Sequence, residues 1–427
     1  MTDALHGLIG LAVLGLIGIA LSENRGAIQL RVVLPALAAQ VAIGALVLFV
    51  PWGRIALSRA AAGVDQVIGY GNKGVEFLFG GLVAPKMHEL FGDTSFVFAF
   101  RVLPAIIYVS ALIAVLYHLG VMRWIVVGLG TVFQRLLGVS KLESFSAVTT
   151  IFLGQSELPA ALKPFVGQLR GTELFAIMTS GMAAVAGSTL AGYAGLGVRL
   201  DYLIAASFMA VPGGLLFAKI LCPGTGTSVV APGHLYFEER PSANVIEATA
   251  AGAAVGLRVA VNVGAMLIAF IGVIALLDGV VGGVMAQLGY PGINLETLLG
   301  YAFAPLAWLI GVPWEHAGIA GNLIGKKLIL NEFVGYAAFS PYLRDHAAVV
   351  ASGLTVLDAK TIAIVTFALC GFANLSSIAI LAGGFGAVAP NLRPEIARYG
   401  LRVVAAGSLS NLASATIAGF LLGSARG

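Results

Sequence analysis

Two glutamates interrupt apolar sequence. Glu157 lies in Gly154-Gln155-Ser156-Glu157-Leu158-Pro159 and Glu332 in Asn331-Glu332-Phe333, each after an apolar run too short to cross a bilayer. An ionised carboxylate in hydrocarbon costs about 2.5–3.5 kcal/mol even on a lenient insertion scale, so each must face a cavity or a partner. Lys163, Lys326 or Lys327 could be that partner, in which case the pair would fix the fold instead of binding a ligand. A third polar cluster, Cys370-Gly371-Phe372-Ala373-Asn374-Leu375-Ser376-Ser377, breaks the uncharged run 361–392. Asn374 and Ser377 share one helical face. They could act as glue between helices, or, with Gly371 favouring local unwinding, they could free backbone groups for an ion or solute. Two carboxylates, the amides of Gln155 and Asn374, the hydroxyls of Ser156 and Ser377 and the ring of Phe372 make a set without a cation. Such a set suits a neutral ligand rich in hydroxyl and amide edges, a sugar or a nucleoside, and repels a dicarboxylate or phosphate. Carboxylates accept from ribose hydroxyls, Gln155 matches a donor and acceptor pair on a base, and an aromatic ring packs against the ligand.

The elements that must hold these groups are membrane spans. The chain has 427 residues, 59% of them hydrophobic and only 10% charged, with a mean hydropathy of +0.97. That composition excludes a water-soluble fold. Uncharged stretches 32–53, 174–198, 259–277, 361–392 and 403–425 approach or exceed the roughly 20 residues a helix needs to cross hydrocarbon. The apolar start, from Gly7 to Ser22, follows Asp3 and His6 and not a basic cluster, and reads as a retained first span. Further spans are expected near 32–52, 95–119, 173–197, 201–221, 258–288, 359–387 and 398–424. The net charge of +4 fits loops and helix ends and does not suggest nucleic-acid binding. Cys222 and Cys370 are too far apart in sequence, and Cys370 too apolar in setting, to indicate a disulfide or metal site. The six histidines are scattered without metal-ligand spacing, so a membrane-embedded enzyme is not expected.

The order of elements repeats. A polar linker and connecting helix over 222–257, carrying Pro223-Gly224-Thr225-Gly226 and Glu238-Glu239-Arg240-Pro241, divides the chain. On either side a span leads to a mixed region that begins Leu136-Leu137-Gly138-Val139 or Leu309-Ile310-Gly311-Val312 and later reaches an amide and a glutamate. Within each mixed region one segment, 141–169 in the first and 315–342 in the second, has the lengths of a re-entrant hairpin with its polar tip inside the membrane. The predicted architecture is therefore an all-α polytopic membrane protein of about eight spans and two re-entrant hairpins in an internally repeated arrangement. Its parts are an N-terminal scaffold (1–93), a first repeat (94–221), the linker, and a second repeat (258–427). Residues 54–79 place Leu57, Ala61, Val64 and Ile68 on one face and read as an interfacial amphipathic helix. Paired re-entrant tips suit alternating access better than a continuous pore, so a carrier is expected over a channel.

Taken together, Gly154-Gln155-Ser156-Glu157, Ala186-Gly187-Ser188 through Ala191-Gly192-Tyr193-Ala194, Pro212-Gly213-Gly214, Asn331-Glu332-Phe333 and the 370–377 cluster carry a resemblance. From about residue 95 onward the chain resembles the concentrative nucleoside transporters. The resemblance implies a bacterial inner-membrane homotrimer in which a transport domain, made of the hairpins and the two spans after each, moves against a trimeric scaffold. It implies that Gln155, Ser156 and Glu157 contact the base, that Glu332, Asn374 and Ser377 contact the ribose, and that Phe372 and Thr189 line the pocket. No cofactor is implied beyond a coupling cation. The family's sodium site takes an Asn side chain before the first tip and a Ser in the next span, where this chain has Thr150 and Ala184. Thr150 keeps an oxygen and the carbonyls of Leu153 and Val185 remain, but Ala184 offers no side-chain ligand. The coupling ion is thus Na+ or H+, the proton riding on a carboxylate such as Glu157 or Glu332. The competing solute class is another neutral polar molecule, a nucleobase or a sugar.

Overall fold

The computed structural model describes residues 3–84, 86–91, 97–167, 169, 171–224 and 242–424. The linker motifs from Thr225 to Pro241 lie outside the described residues. Everything regular in the described residues is helical, as apolar sequence in lipid requires, because a helix satisfies its backbone groups internally. The first spans are α1 (Asp3–Ala20) and α2 (Leu30–Gly44), the latter prolonged to Phe49 by a wider turn. The amphipathic segment is a 29-residue helix, α3 (Pro51–Phe79), which starts with Pro51 in its first turn, where a missing N–H costs nothing. Leu57, Ala61 and Val75 on α3 are buried, while Trp52 and Phe77 are exposed.

The two repeats are visible as the same succession of helices. The first runs α4 (Leu103–His118), α5 (Val121–Leu137), hairpin arm α6 (Lys141–Thr149), α7 (Gly171–Ala183), α8 (Gly187–Gly195) and α9 (Leu200–Leu221). The second runs α10 (Val245–Gln287), α11 (Leu295–Leu309), hairpin arms α12 (Trp314–Ile329) and α13 (Glu332–Phe339), then α14 (Ala359–Leu369), α15 (Ser376–Val388) and α16 (Arg393–Ser424). The repeated Leu-x-Gly-Val motifs acquire a physical meaning here. Gly138 and Gly311 both stand at positive φ, 65° and 106°. Each ends one helix in the left-handed region open to glycine and turns the chain into a hairpin arm. The turn between α11 and α12 is 114°, so that pair is a bent entry to the hairpin and not one span. In the first repeat Ser140 caps α6, accepting from Glu143 N while Glu143 reaches back to the Ser140 N–H.

Among the described residues six helices are long and apolar enough to cross a membrane. Together with the shorter α1 and the interrupted α14–α15 pair they make the expected eight spans. The connecting helix and the span expected near 258 are continuous, since α10 is a single helix of 43 residues. Nothing in 245–257 breaks it, and Asn244 caps it by accepting from Glu247 N.

Packing separates two groups of helices. α1, α2, α7, α9, α14 and α16 pack on one another and enclose the hairpin tips, and α9 is buried along almost its whole length. α4 and α10 instead pack on each other and leave much apolar surface outside. Their approach depends on small residues one turn apart. A Cβ at Gly252 would lie 2.5 Å from the Ala114 Cβ and 2.8 Å from the Ala111 Cα, and one at Gly256 would lie 2.7 Å from the Ile107 Cα. Gly252→Val should therefore force these helices apart at a cost of about 1–3 kcal/mol. The readout is a lower unfolding temperature in detergent, with Gly272→Val, where a Cβ would meet nothing within 4 Å, as the unaffected control.

Candidate functional site

The site forms where two spans stop being helical. α7 ends at Ala183, and the chain bends at Ala184 and is irregular to Ala186, itself extended, before α8 begins. α14 ends at Leu369, and Cys370 to Leu375 are irregular before α15. Freed backbone groups must find partners in a dry interior, and they find one another. Phe372 N donates to Ala184 O at 3.2 Å, Leu375 N to Leu328 O at 3.1 Å, and Gly187 N to Phe152 O at 3.3 Å. Both breaks and both hairpins are thereby tied together.

A single amide closes this crossing. Asn411, on the unbroken α16, donates to Ala183 O at 2.7 Å and Cys370 O at 2.9 Å, and its Oδ1 accepts from Lys327 Nζ at 2.9 Å. The amide fits because residue 371 is glycine, where any Cβ would stand 2.2 Å from the Asn411 Oδ1.

Around the crossing the expected polar groups converge. Asn331 caps α13 by accepting from Val334 N, which sets Glu332 in the first turn. The Glu332 carboxylate accepts from Tyr193 Oη at 3.1 Å through Oε1 and from Asn374 Nδ2 at 3.1 Å through Oε2. Asn374 Oδ1 accepts from Ser377 N at 2.9 Å and Ser376 Oγ at 2.7 Å. Ser377 Oγ donates to Phe372 O at 2.5 Å and accepts from Gln155 Nε2 at 2.7 Å. The Gln155 Oε1 is buried and has no hydrogen-bond partner among the described residues. Phe372 lies against the first tip, its ring 3.5 Å from where a Cβ on Gly154 would be.

Gln155, Glu332, Phe372, Asn374 and Ser377 thus form one cluster. Thr189 is buried nearby on α8, one turn before Tyr193, with its hydroxyl donating to Ala186 O at 2.7 Å. Ser156, exposed, and Glu157, half-buried, stand at the first tip beside Gln155. Neither glutamate pairs directly with the lysines offered by the sequence. Lys326 pairs with Glu296 at 2.5 Å, Lys327 bonds Asn411, and Lys163 is exposed.

At the expected cation position, Thr150 Oγ1 donates to Ala147 O at 2.7 Å, which leaves its lone pairs available. The carbonyls of Leu153 and Val185 lie in irregular backbone on the two segments that Gly187 N and Phe152 O join. The Ala184 carbonyl is already taken by Phe372 N. The chemistry present is an incomplete oxygen shell: one hydroxyl and two carbonyls. Among the described residues no group of three or more His, Cys, Asp or Glu side chains could hold a metal.

Sequence reasoning gives no site role to Tyr193 or Asn411 and offers Lys327 a different partner from the one it has. Tyr193 is fully buried against Phe333 and Tyr336, with ring centroids 4.7 and 4.5 Å away, and aims its hydroxyl at Glu332. Its spacing of four from Thr189 was the available signal. Asn411 was hidden as one amide in an apolar run, and Lys327, offered by the sequence as a partner for a glutamate, bonds that amide instead.

Two broken, buried helices and two hairpin tips that bring polar side chains together inside a multi-pass membrane protein are an arrangement suited to a solute carrier. Comparison with known proteins agrees. The chain matches the Na+ dependent nucleoside transporter C-terminus over residues 202–419, the corresponding N-terminus over 9–82, and a gate domain described as nucleoside recognition over 99–199. It is 47% identical over 421 residues to the nucleoside permease NupC of Helicobacter pylori, covering 99% of this chain and 98% of that one. It is 32% identical over 424 residues to sodium/nucleoside cotransporter 1 of Mus musculus, covering 98% of this chain and 64% of the mouse protein. The solved structure of CNTnw in an inward-facing substrate-bound state superimposes with a TM-score of 0.94 at 50% identity, covering 100% of this chain and 99% of that one. An outward-facing double variant of CNTnw gives 0.93 at 50% identity, with the same coverage. The chain belongs to the concentrative nucleoside transporter family.

Proposed function

We propose that this protein imports nucleosides across the bacterial inner membrane by cation symport. The observation that carries the reading is the Glu332 carboxylate, held by Tyr193 and Asn374 beside the Gln155–Ser377 bond from the other hairpin. In this account Glu332, Asn374 and Ser377 take the ribose hydroxyls. Gln155, whose Oε1 lacks a donor among the described residues, takes the base with Ser156 and Glu157. Phe372 and Thr189 line the pocket. Because the base is read from the first hairpin and the ribose from the second hairpin and the α14–α15 break, a nucleoside should compete for uptake at concentrations where neither free base nor free ribose does. Equal competition by a free base or a free sugar would replace the nucleoside with that solute.

Alternating access in this account is an elevator-like movement of the hairpins and the spans after each. α1 and α2, which the sequence placed in the scaffold, pack instead against α9 and α16, which supports their travelling with that body against a homotrimeric frame to which α4 and α10 belong. The coupling ion is sodium or a proton, and one variant separates them. If sodium sits on the Thr150 hydroxyl and the Leu153 and Val185 carbonyls, Thr150→Val removes one of three oxygens. The sodium concentration for half-maximal uptake should then rise about tenfold. If the proton couples, that variant should leave uptake unchanged and sodium should have no effect.

A further inference from the structure

Away from the solute site, the ends of five helical elements meet around a cleft of about 880 Å³. Its walls come from the end of α2, the first turns of α3, the starts of α9 and α14 and the end of α16. Four cations line it, Arg54, Arg59, Arg199 and Lys360, against one carboxylate, Asp201. Asp201 is committed to Arg199, with contacts of 2.6 and 3.1 Å, and the same guanidinium lies over the Tyr202 ring at 4.1 Å. Arg54 and Arg59 make no ion pair among the described residues, and Ser58 adds a hydroxyl between them. Gathering like charges costs free energy unless an anion is present to take them up.

The rest of the cleft says what kind of anion. Val47, Ile55 and Leu422 form an apolar wall, and Ile55 and the neighbouring Trp52 are more than half exposed. All of these residues stand at the ends of spans or on the amphipathic α3. That is the depth at which lipid phosphates lie and at which tryptophan concentrates. A soluble phosphate would use the cations and leave the apolar wall wet. A phospholipid uses both, its phosphodiester on the arginines and its acyl chain along the wall. We propose that this cleft binds the headgroup of an acidic phospholipid, wedged between α3 and the starts of α9 and α14. The site is independent of which solute the protein carries.

Native mass spectrometry of the detergent-purified, delipidated protein titrated with phosphatidylglycerol tests it, with phosphatidylcholine as the neutral comparison. Phosphatidylglycerol should bind saturably and phosphatidylcholine should not. The double variant Arg54→Gln, Arg59→Gln should bind phosphatidylglycerol about thirtyfold more weakly, from roughly fivefold per charge near a lipid surface. Arg54→Lys, Arg59→Lys should retain most of the binding, which also guards against a folding defect, and Lys360→Gln on the opposite wall should weaken it separately. Unchanged binding in the double glutamine variant, or equal binding of the two lipids, would overturn the proposal. Displacement of phosphatidylglycerol by millimolar inorganic phosphate would overturn it in favour of a soluble-anion site.

Discussion

Glu332→Gln should lower initial nucleoside uptake about a hundredfold or more while leaving the amount of folded protein unchanged. The carboxylate accepts from Tyr193 Oη and Asn374 Nδ2 at once, one donor on each oxygen. A glutamine side chain has one oxygen and one NH2, so one of those donors would face another donor in a buried site. Losing a charged acceptor and stranding a buried donor costs about 1–3 kcal/mol each, and the ribose loses the same acceptor. Tyr193→Phe provides the graded comparison. It removes one donor without stranding Glu332, which keeps Asn374, and should reduce uptake only about three- to tenfold. Measured together in the same vesicles, the two variants distinguish a carboxylate that binds solute from one that merely holds α13 in place. A purely structural glutamate would make both variants lose folded protein in parallel.

The second large effect falls on stability. Asn411→Leu removes the acceptor of the buried Lys327 ammonium and the donor to two carbonyls at the helix breaks. Each stranded neutral group costs about 1–3 kcal/mol and a stranded buried charge about 3–5 kcal/mol. The whole stability of a domain is only about 5–15 kcal/mol, so this variant should yield little monodisperse protein by size-exclusion chromatography. Gly371→Ala should act on the same crossing from the opposite side, since its Cβ would meet the Asn411 side chain. With Gly371 kept, Asn411→Gln or Asn411→Ser should lose part of the stability that Asn411→Leu loses, since each keeps one polar partner at the crossing. Normal yield and unfolding temperature for Asn411→Leu would show that the crossing does not hold the breaks.

The parts of this molecule that could be read from sequence are those where residue type contradicts its surroundings. A glutamate after Gly154-Gln155-Ser156, and another after Asn331, stand out because lipid excludes them. The break at 370–375 was legible for the same reason, through Asn374 and Ser377. The matching break at 184–186 was not. Ala184, Val185 and Ala186 are neutral in a helix as in extended chain, and nothing local stops α7 there. The break is stabilised from far away, by Phe372 N on Ala184 O and by Asn411 on Ala183 O, 228 residues along the chain. Tyr193 is similar. A tyrosine in an apolar run reads as packing until Glu332, 139 residues on, is placed beneath its hydroxyl. The Leu-x-Gly-Val repeat illustrates the opposite case, a motif recognisable as a pattern before its cause, the positive φ at Gly138 and Gly311, was visible. Long-range tertiary partners, not local propensity, account for what remained hidden.

The most direct test of the central reading is uptake of radiolabelled uridine into proteoliposomes, with a sodium gradient and, separately, a proton gradient imposed across the same membrane. Intact protein and Glu332→Gln would be compared, and adenosine run in parallel. Accumulation above equilibrium under one of the two gradients, lost in the variant, is the predicted result and identifies the coupling ion. If neither gradient drives uridine or adenosine into the vesicles, or if Glu332→Gln accumulates them as well as the intact protein, the proposed site and symport mechanism are contradicted.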